Sequence, residues 1–261
     1  MASLNWHLMG TRRYETGVDR GVLFLDDKVV AFPGLVSVVE NPTGGNSRAF
    51  YYDGEQYLQL LGKEQFAATV NAFFTPEEFD PYDGILELAR GFSVTQQTRK
   101  RFGFSYRTLI GNDTEGTNYG YKIHLVYNAL AAPSDRSHRT INNSPSIDPL
   151  SWKLTTTPVV GNGYSGSHFV IDSRTLLPER LAEVEALIYG SETTDPSFPT
   201  VQQLITIFEK DATLMVIDNL DGTATISGPE EMVIAYSEQE ALLSSGSIYP
   251  TSIDQAIISS S

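Results

Sequence analysis

The amino-acid sequence predicts a mainly β protein, a sandwich or barrel with one or two peripheral helices and a small C-terminal β-rich extension. Three observations carry this prediction. Apolar residues alternate with period 2 through most of the chain, as half-buried strands require. Asp-Gly pairs and loops rich in Gly, Pro, Asn and Ser punctuate those runs. Helical periodicity enters only late, after residue 177.

Each element has its own justification. Tyr52-Asp53-Gly54-Glu55 is a two-residue hairpin signal, because Asp-Gly tolerates the positive φ angles of such a turn. In KEQFAATVNAFF, Phe66, Ala68, Val70, Ala72 and Phe74 fall on one face; Thr69, Val70 and the paired Phe residues favour a strand, which Pro76 ends. In VTQQTRKRFGFSYRT, residues 94–108, Phe102, Phe104 and Tyr106 share one parity, with Gly103, Ser105 and Arg107 between them. An aromatic core face opposite a charged, exposed face is expected there. Tyr119, Tyr121, Ile123, Leu125, Tyr127 and Ala129 then alternate with Gly120, Lys122, His124, Val126 and Asn128 in a long strand.

PERLAEVEALIYG predicts a helix over about 178–189, with Pro178 in its first turn, Gly190 as terminator, and Leu181, Val184, Leu187 and Ile188 on one face. PTVQQLITIFEK predicts a second over about 199–208, presenting Val201, Leu204, Ile205 and Phe208. Asp221-Gly222, between LMVIDNL and TATISG, predicts a further hairpin. The expected division is a main domain over 1–210, with an N-terminal arm at about 1–20, and an extension over 211–261.

At 261 residues with 41% hydrophobic and 19% charged content, the chain can bury a substantial core. It has no cysteine, which excludes a disulfide scaffold and thiolate chemistry. The start, MASLNWHLMGTRR, lacks the apolar core of a signal peptide, and no apolar run is long enough to span a membrane, so a soluble protein without an export signal is expected. The net charge is −14, and all 18 Lys and Arg lie at or before Lys210. Residues 211–261 therefore carry −8, while 18 cations against 24 acids leave −6 for the rest. A net negative field disfavours tight duplex DNA binding.

Several short motifs suggest chemistry that their context does not support. Gly161-Asn162-Gly163-Tyr164-Ser165-Gly166 matches G-x-G-x-x-G, but SHFVID follows it as a strand rather than a helix, so a Gly-rich turn is expected. Ser165 misses a nucleophile elbow because Ser167 stands where glycine is needed. The four histidines, His7, His124, His138 and His168, show no metal-ligand spacing, and each is expected as a surface or strand residue. Asp218 to Gly222 has too few spaced oxygens for a calcium loop. Glu77 and Glu78 are adjacent rather than placed across a cleft. Lys100, Phe102, Gly103 and Phe104 match part of an RNA-binding strand pattern, without the βαββαβ order that should surround it. The sequence thus offers no catalytic residue, no metal ligand and no cofactor site.

Taken together, several separated blocks resemble the major tail tube protein of long, flexible-tailed (siphovirus-type) bacteriophages: GTRRYETGVDRGVLFL, ENPTGGNSRAFYYDGEQYL, FAATVNAFFTPEEFD, GFSVTQQTRKRFGFSYRTLIGND, GYKIHLVYNALAAPS and ERLAEVEALIYGSETTDPSFPTVQQLITIF. They cover residues 10–208 in the family's order; residues 211–261 match only loosely a β-rich extension of some relatives. The resemblance implies a tail-tube β-sandwich whose copies form hexameric rings that stack into a tube. It implies a structural, non-enzymatic virion protein assembled in the host bacterial cytoplasm. The implied partners are other copies of itself, a tape-measure protein, and tail terminator and tip proteins, with non-specific passage of DNA during ejection and no membrane. Six copies at −14 would carry about −84 per ring, and a negative lumen wall repels phosphates.

Within that picture the cluster Arg99-Lys100-Arg101 is expected at an inter-subunit or inter-ring contact, with Glu77, Glu78, Asp80, Asp83 and Glu87 of the stretch TPEEFDPYDGILE as its acidic partner. Reversing all three cations is then expected to impair assembly without moving the monomer's melting temperature. The alternative function is a non-catalytic carbohydrate-binding or adhesin-like module using Tyr51, Tyr52 and Tyr57 as a stacking surface; a hydrolase would have to use His124 or His168 with a nearby Asp.

Overall fold

The computed structural model describes residues 7–134, 136–140, 147–161 and 163–209, together with the backbone of five short strands between 215 and 260. The chain divides into two compact units, 1–181 with 185–198 and 182–184 with 199–261. The chain is mainly β, as its alternation predicts.

The first unit opens with β1 (Arg13–Phe24), β2 (Val29–Phe32) and β3 (Leu35–Glu40). Two short strands, β4 (Thr43–Gly44) and β7 (Glu64–Gln65), form the base of a hairpin built from β5 (Ser47–Tyr52) and β6 (Glu55–Leu61). Then come β8 (Ala67–Ala72), a 3-10 turn (Glu77–Tyr82), the hairpin of β9 (Leu86–Ala89) and β10 (Phe92–Val94), β11 (Phe102–Asn112) and β12 (Gly116–Ala132). β13 (Leu150–Thr155), the hairpin of β14 (Val159–Gly161) and β15 (Tyr164–Gly166), and β16 (His168–Asp172) precede helix α1 (Pro178–Tyr189).

Eight of these strands hydrogen-bond in the order β2-β1-β11-β12-β13-β8-β3, with β16 also on β12. The sheet folds over at β12. Residues 122–126 of β12 hold β16, and Leu130 to Ala132 hold β13 along the same edge. A bulge makes the corner: Phe102 faces Ala129 but Phe104 faces Val126, so β12 carries one extra residue, and Asn128 adopts φ 50°. Asn is among the few non-glycine residues that take this conformation readily. Leu125 and Ala129, expected to share a face, therefore lie on opposite ones. Val126, Ala129 and Ala131 all enter the sandwich core, while Tyr127 packs on Phe169 and Phe198 on the other side.

The core lies between the two layers. Phe102, Phe104 and Tyr106 meet Trp152, Leu154, Val70 and Ala72, and Phe79 and Tyr82 of the 3-10 turn plug one end. Rings meet mostly edge to face, as with Phe79 on Phe102 at 5.0 Å. The reverse face of β11, expected to be charged and exposed, is also covered. Ser105 is buried and Gly103 lies under Phe198, where a Cβ would come within 2.5 Å of the ring. Phe198 in turn stacks on Phe24 and on Tyr127, each at 4.4 Å. Arg107 is half-buried beneath Tyr121 and gripped by Asp19 through two hydrogen bonds. Tyr121 donates to Glu185 of α1 at 2.8 Å.

Local signals hold at several points. Asp53 (φ 50°) and Gly54 (φ 82°) form the two-residue turn between β5 and β6. α1 starts at Pro178, ends at Gly190 with φ 81°, and buries Val184 and Ile188. Of the Gly-rich stretch 161–166, expected as a turn, Gly161 ends β14 and Tyr164–Gly166 form β15, leaving Gly163 as its one described turn residue. Phe74, by contrast, lies beyond the end of β8 and is exposed.

In the second unit, α2 (Val201–Glu209) is opened by a capping box: Thr200 Oγ1 accepts from the Gln203 amide, and Gln203 Oε1 accepts from the Thr200 amide. It buries Leu204, as expected, together with Ile207, while Val201, Ile205 and Phe208 of the expected face are half-buried. β17 (Met215–Asp218) pairs with β18 (Ala224–Ser227), and β19 (Met232–Tyr236) lies between β20 (Ala241–Leu242) and β21 (Ile257–Ser260). The expected turn at Asp221-Gly222 lies outside the described residues.

Candidate functional site

Three surfaces and clusters carry residues that packing alone does not explain. The first is the hairpin β5–β6. It pairs with no strand of the main sheet, and every residue of β6 is exposed. Tyr51, Tyr52, Tyr57, Leu60 and Leu61 are 57–76% exposed. A two-stranded ribbon is marginal in water on its own, and an apolar patch of this kind marks an interaction surface.

The second is the cationic segment. Arg99, Lys100 and Arg101 do not lie on a strand; they form the extended lead into β11. All three find partners in their own chain. Arg99 Nη1 donates to Asp83 Oδ1 at 2.8 Å and to the Ala131 carbonyl at 3.0 Å. Asp83 is buried and also takes a hydrogen bond from Arg136. Lys100 reaches Asp26 at 3.0 Å in an exposed pair, and Arg101 donates to the Asn128 carbonyl at the sheet corner.

Of the acidic partners expected from the sequence, Glu77 and Glu78 are exposed on the 3-10 turn. Asp80 is half-buried, and burial together with the charges of Asp83 and Glu77 pushes its carboxyl above the ordinary range. Glu87 accepts from the Gly91 amide in the β9–β10 hairpin. The structure thus joins Arg99 to Asp83 within one chain and leaves Glu77, Glu78, Lys100 and Arg101 on the surface.

The third is a polar cluster at the open end of the sandwich core, which the spacing of the histidines did not reveal. His124 on β12 and His168 on β16 lie on the same sheet face, because Val126 opposes His168 and Val170 opposes His124. Their rings are parallel to within 10°, and His124 Nδ1 is 3.0 Å from His168 Nε2. Glu40, at the end of β3 in the other layer, brings Oε1 to 3.7 Å from His124 Nδ1. Tyr106 stacks on His124 at 4.4 Å and donates its hydroxyl to Glu40 Oε1 at 2.8 Å. Phe66 stacks on His168 at 4.2 Å.

On the far side of His124, Nε2 lies 3.0 Å from Thr108 Oγ1, whose hydroxyl donates to Glu15 Oε1 at 2.6 Å. Burial and the neighbouring His168 hold the His124 pKa down to about 4. Burial lowers that of His168 as well. Both rings are therefore neutral near pH 7. Tyr106, buried and bonded to Glu40, is pushed well above the ordinary tyrosine range and remains a donor.

No helix among the described residues is long and apolar enough to cross a membrane. No protein-family model and no curated protein matches the sequence. Among solved structures, the chain is similar to a chain of the PVC sheath-tube complex of an extracellular contractile injection system in its extended state. That likeness has 16% identity and a TM-score of 0.30, covering 59% of this chain and 88% of that one. The chain is also similar to the anti-feeding prophage cap, a tube-terminating cap, at 13% identity and a TM-score of 0.30, covering 66% of this chain and 97% of that one.

Proposed function

We propose that this chain is the structural subunit of a siphovirus-type phage tail tube, assembling as stacked hexameric rings that conduct DNA. The observation that carries the reading is the β5–β6 hairpin. A ribbon with apolar side chains on both faces and no third strand beside it among the described residues needs a second surface to cover it. In a self-assembling ring or tube that surface belongs to another copy. The sequence blocks over residues 10–208 that resemble tail tube proteins supply the kind of assembly, and the acidic balance suits a wall past which DNA slides. The protein's role is then mechanical rather than catalytic, in the virion, with tape-measure, terminator and tip proteins as further partners.

The same exposed tyrosines favour, more weakly, a glycan-binding module. Tyr52 and Tyr57 meet at 62°, however, and do not form one flat stacking platform. Cryo-electron microscopy of the concentrated protein decides between the two. Six-fold rings or hollow tubes are expected. A persistent monomer, or rings of another rotational order, overturns the proposal.

A further inference from the structure

From the cluster at the end of the core, we propose that His124, His168 and Glu40 bind one divalent first-row transition ion, with Zn²⁺ the best match. The chemistry of the donor set is the first argument. Two neutral imidazoles and a carboxylate are a zinc-type ligand set with a fourth position left for water. Geometry is the second. Ligands 2.0–2.1 Å from a tetrahedral ion lie about 3.3 Å from one another. His124 Nδ1 lies 3.0 Å from His168 Nε2 and 3.7 Å from Glu40 Oε1, and the three ligating atoms all fall within 4.8 Å of one another.

The third argument is that the surroundings already select the ligating atoms. Thr108 gives its only hydroxyl proton to Glu15, so it accepts from His124 Nε2–H. That assignment fixes the tautomer and leaves the lone pair on Nδ1, the atom 3.0 Å from His168 Nε2 and 3.7 Å from Glu40 Oε1. Tyr106 holds the Glu40 carboxylate, and the Phe66 and Tyr106 rings hold the two imidazole planes. Without an ion, His168 Nε2 must carry the proton that bridges to His124 Nδ1. On binding, that proton moves to His168 Nδ1, with no net change in charge on either ring. Glu40 is about two-fifths exposed, which opens the site to solvent on one side.

The test is calorimetric titration of tag-free, chelator-treated full-length protein with ZnCl₂, and with CoCl₂ followed by visible absorption. One equivalent per chain and the intense absorption of tetrahedral Co²⁺ are expected. His168→Ala should abolish saturable binding, and Glu40→Gln should weaken it by at least tenfold. Thr108→Val, which releases the tautomer, should weaken it by roughly 10-fold to 100-fold. His138→Ala, on an exposed segment, should leave it unchanged. Absence of one-to-one binding overturns the proposal, as does binding that survives both His168→Ala and Glu40→Gln. Glu40 is partly exposed, so its variant keeps the test decisive if His168→Ala fails to fold.

Discussion

Removing Arg99 tests whether the cationic segment serves the fold or only its surface. In Arg99→Ala the Asp83 carboxylate, whose side chain is 7% exposed, loses the guanidinium at 2.8 Å, and the Ala131 carbonyl loses its donor. Arg136 remains beside Asp83, so the charge is not orphaned. A charge-assisted hydrogen bond contributes about 1.5–3 kcal/mol, an exposed pair 0–1, and breaking a fully buried pair costs about 3–5. With both side chains largely buried and Arg136 still on Asp83, the site falls at the low end of the last case, a loss of about 3 kcal/mol. At roughly 2–4 °C per kcal/mol for a unit of this size, the melting temperature should fall by about 6–12 °C. Thermal unfolding followed by circular dichroism measures it, with Arg90→Ala, an exposed cation in the β9–β10 turn, as the control, expected within about 0.5 kcal/mol of the parent. A fall below about 2 °C for Arg99→Ala would refute the reasoning. It follows that reversing all three cations cannot separate assembly from folding, as the sequence suggests it should, because Arg99→Glu sets a second carboxylate against Asp83. Of the three reversals, Lys100→Glu, in an exposed pair with Asp26, is the one that asks about assembly.

Other outcomes follow from particular contacts. Gly103→Ala forces a methyl into Phe198, a ring wedged between Phe24 and Tyr127, and should cost about 1–3 kcal/mol; an unchanged urea midpoint would contradict the packing described. Ser105→Ala removes a buried hydroxyl that has no partner among the described residues, so stability should hold or rise by up to about 1 kcal/mol, and a clear loss would point to an unseen partner. Tyr57→Lys with Leu61→Glu should abolish assembly in sedimentation and electron microscopy while leaving the melting temperature in place, because both side chains are already in water. Hydrogen bonds from Arg174 outweigh burial and hold the Asp172 carboxyl below its ordinary 3.8. A depressed carboxyl stabilises the fold above its unfolded value, and that contribution fades as pH falls through the folded one. The stability gap between parent and Arg174→Gln should therefore be full above about pH 5 and should close in acid; a gap independent of pH would exclude this linkage.

Much of the fold was legible in the sequence because its causes are local. The Asp53-Gly54 turn, the limits of α1 and the aromatic face of β11 each follow from a few neighbouring residues. What escaped depends on residues distant in sequence. Gly103 reads as a solvent face because the ring that covers it, Phe198, lies in a segment with no periodicity of its own. The alternation of β12 was extrapolated through Asn128, where one extra residue exchanges the faces. The histidine cluster was invisible for the same reason: 44 positions separate His124 from His168, and only the β12–β16 register makes them neighbours. Arg99 and Asp83 both stand out by their charge in the sequence, but charge alone does not tell a partner in the same chain from one in another.

The corner at Asn128 has a mechanical consequence. The two layers of the sandwich are joined there by an unbroken main chain, fastened by Arg101 on the Asn128 carbonyl and by the Asn128 side chain on the Thr157 carbonyl. Tension along β12 therefore passes from layer to layer through peptide bonds, and side-chain contacts between the layers are not the only link resisting it. Prising the layers apart must unzip the ladders that hold β12 to β11 and β13. The amides of Ile123 to Val126 should then exchange with solvent only through global unfolding, so the whole β unit yields at one threshold rather than peeling in stages.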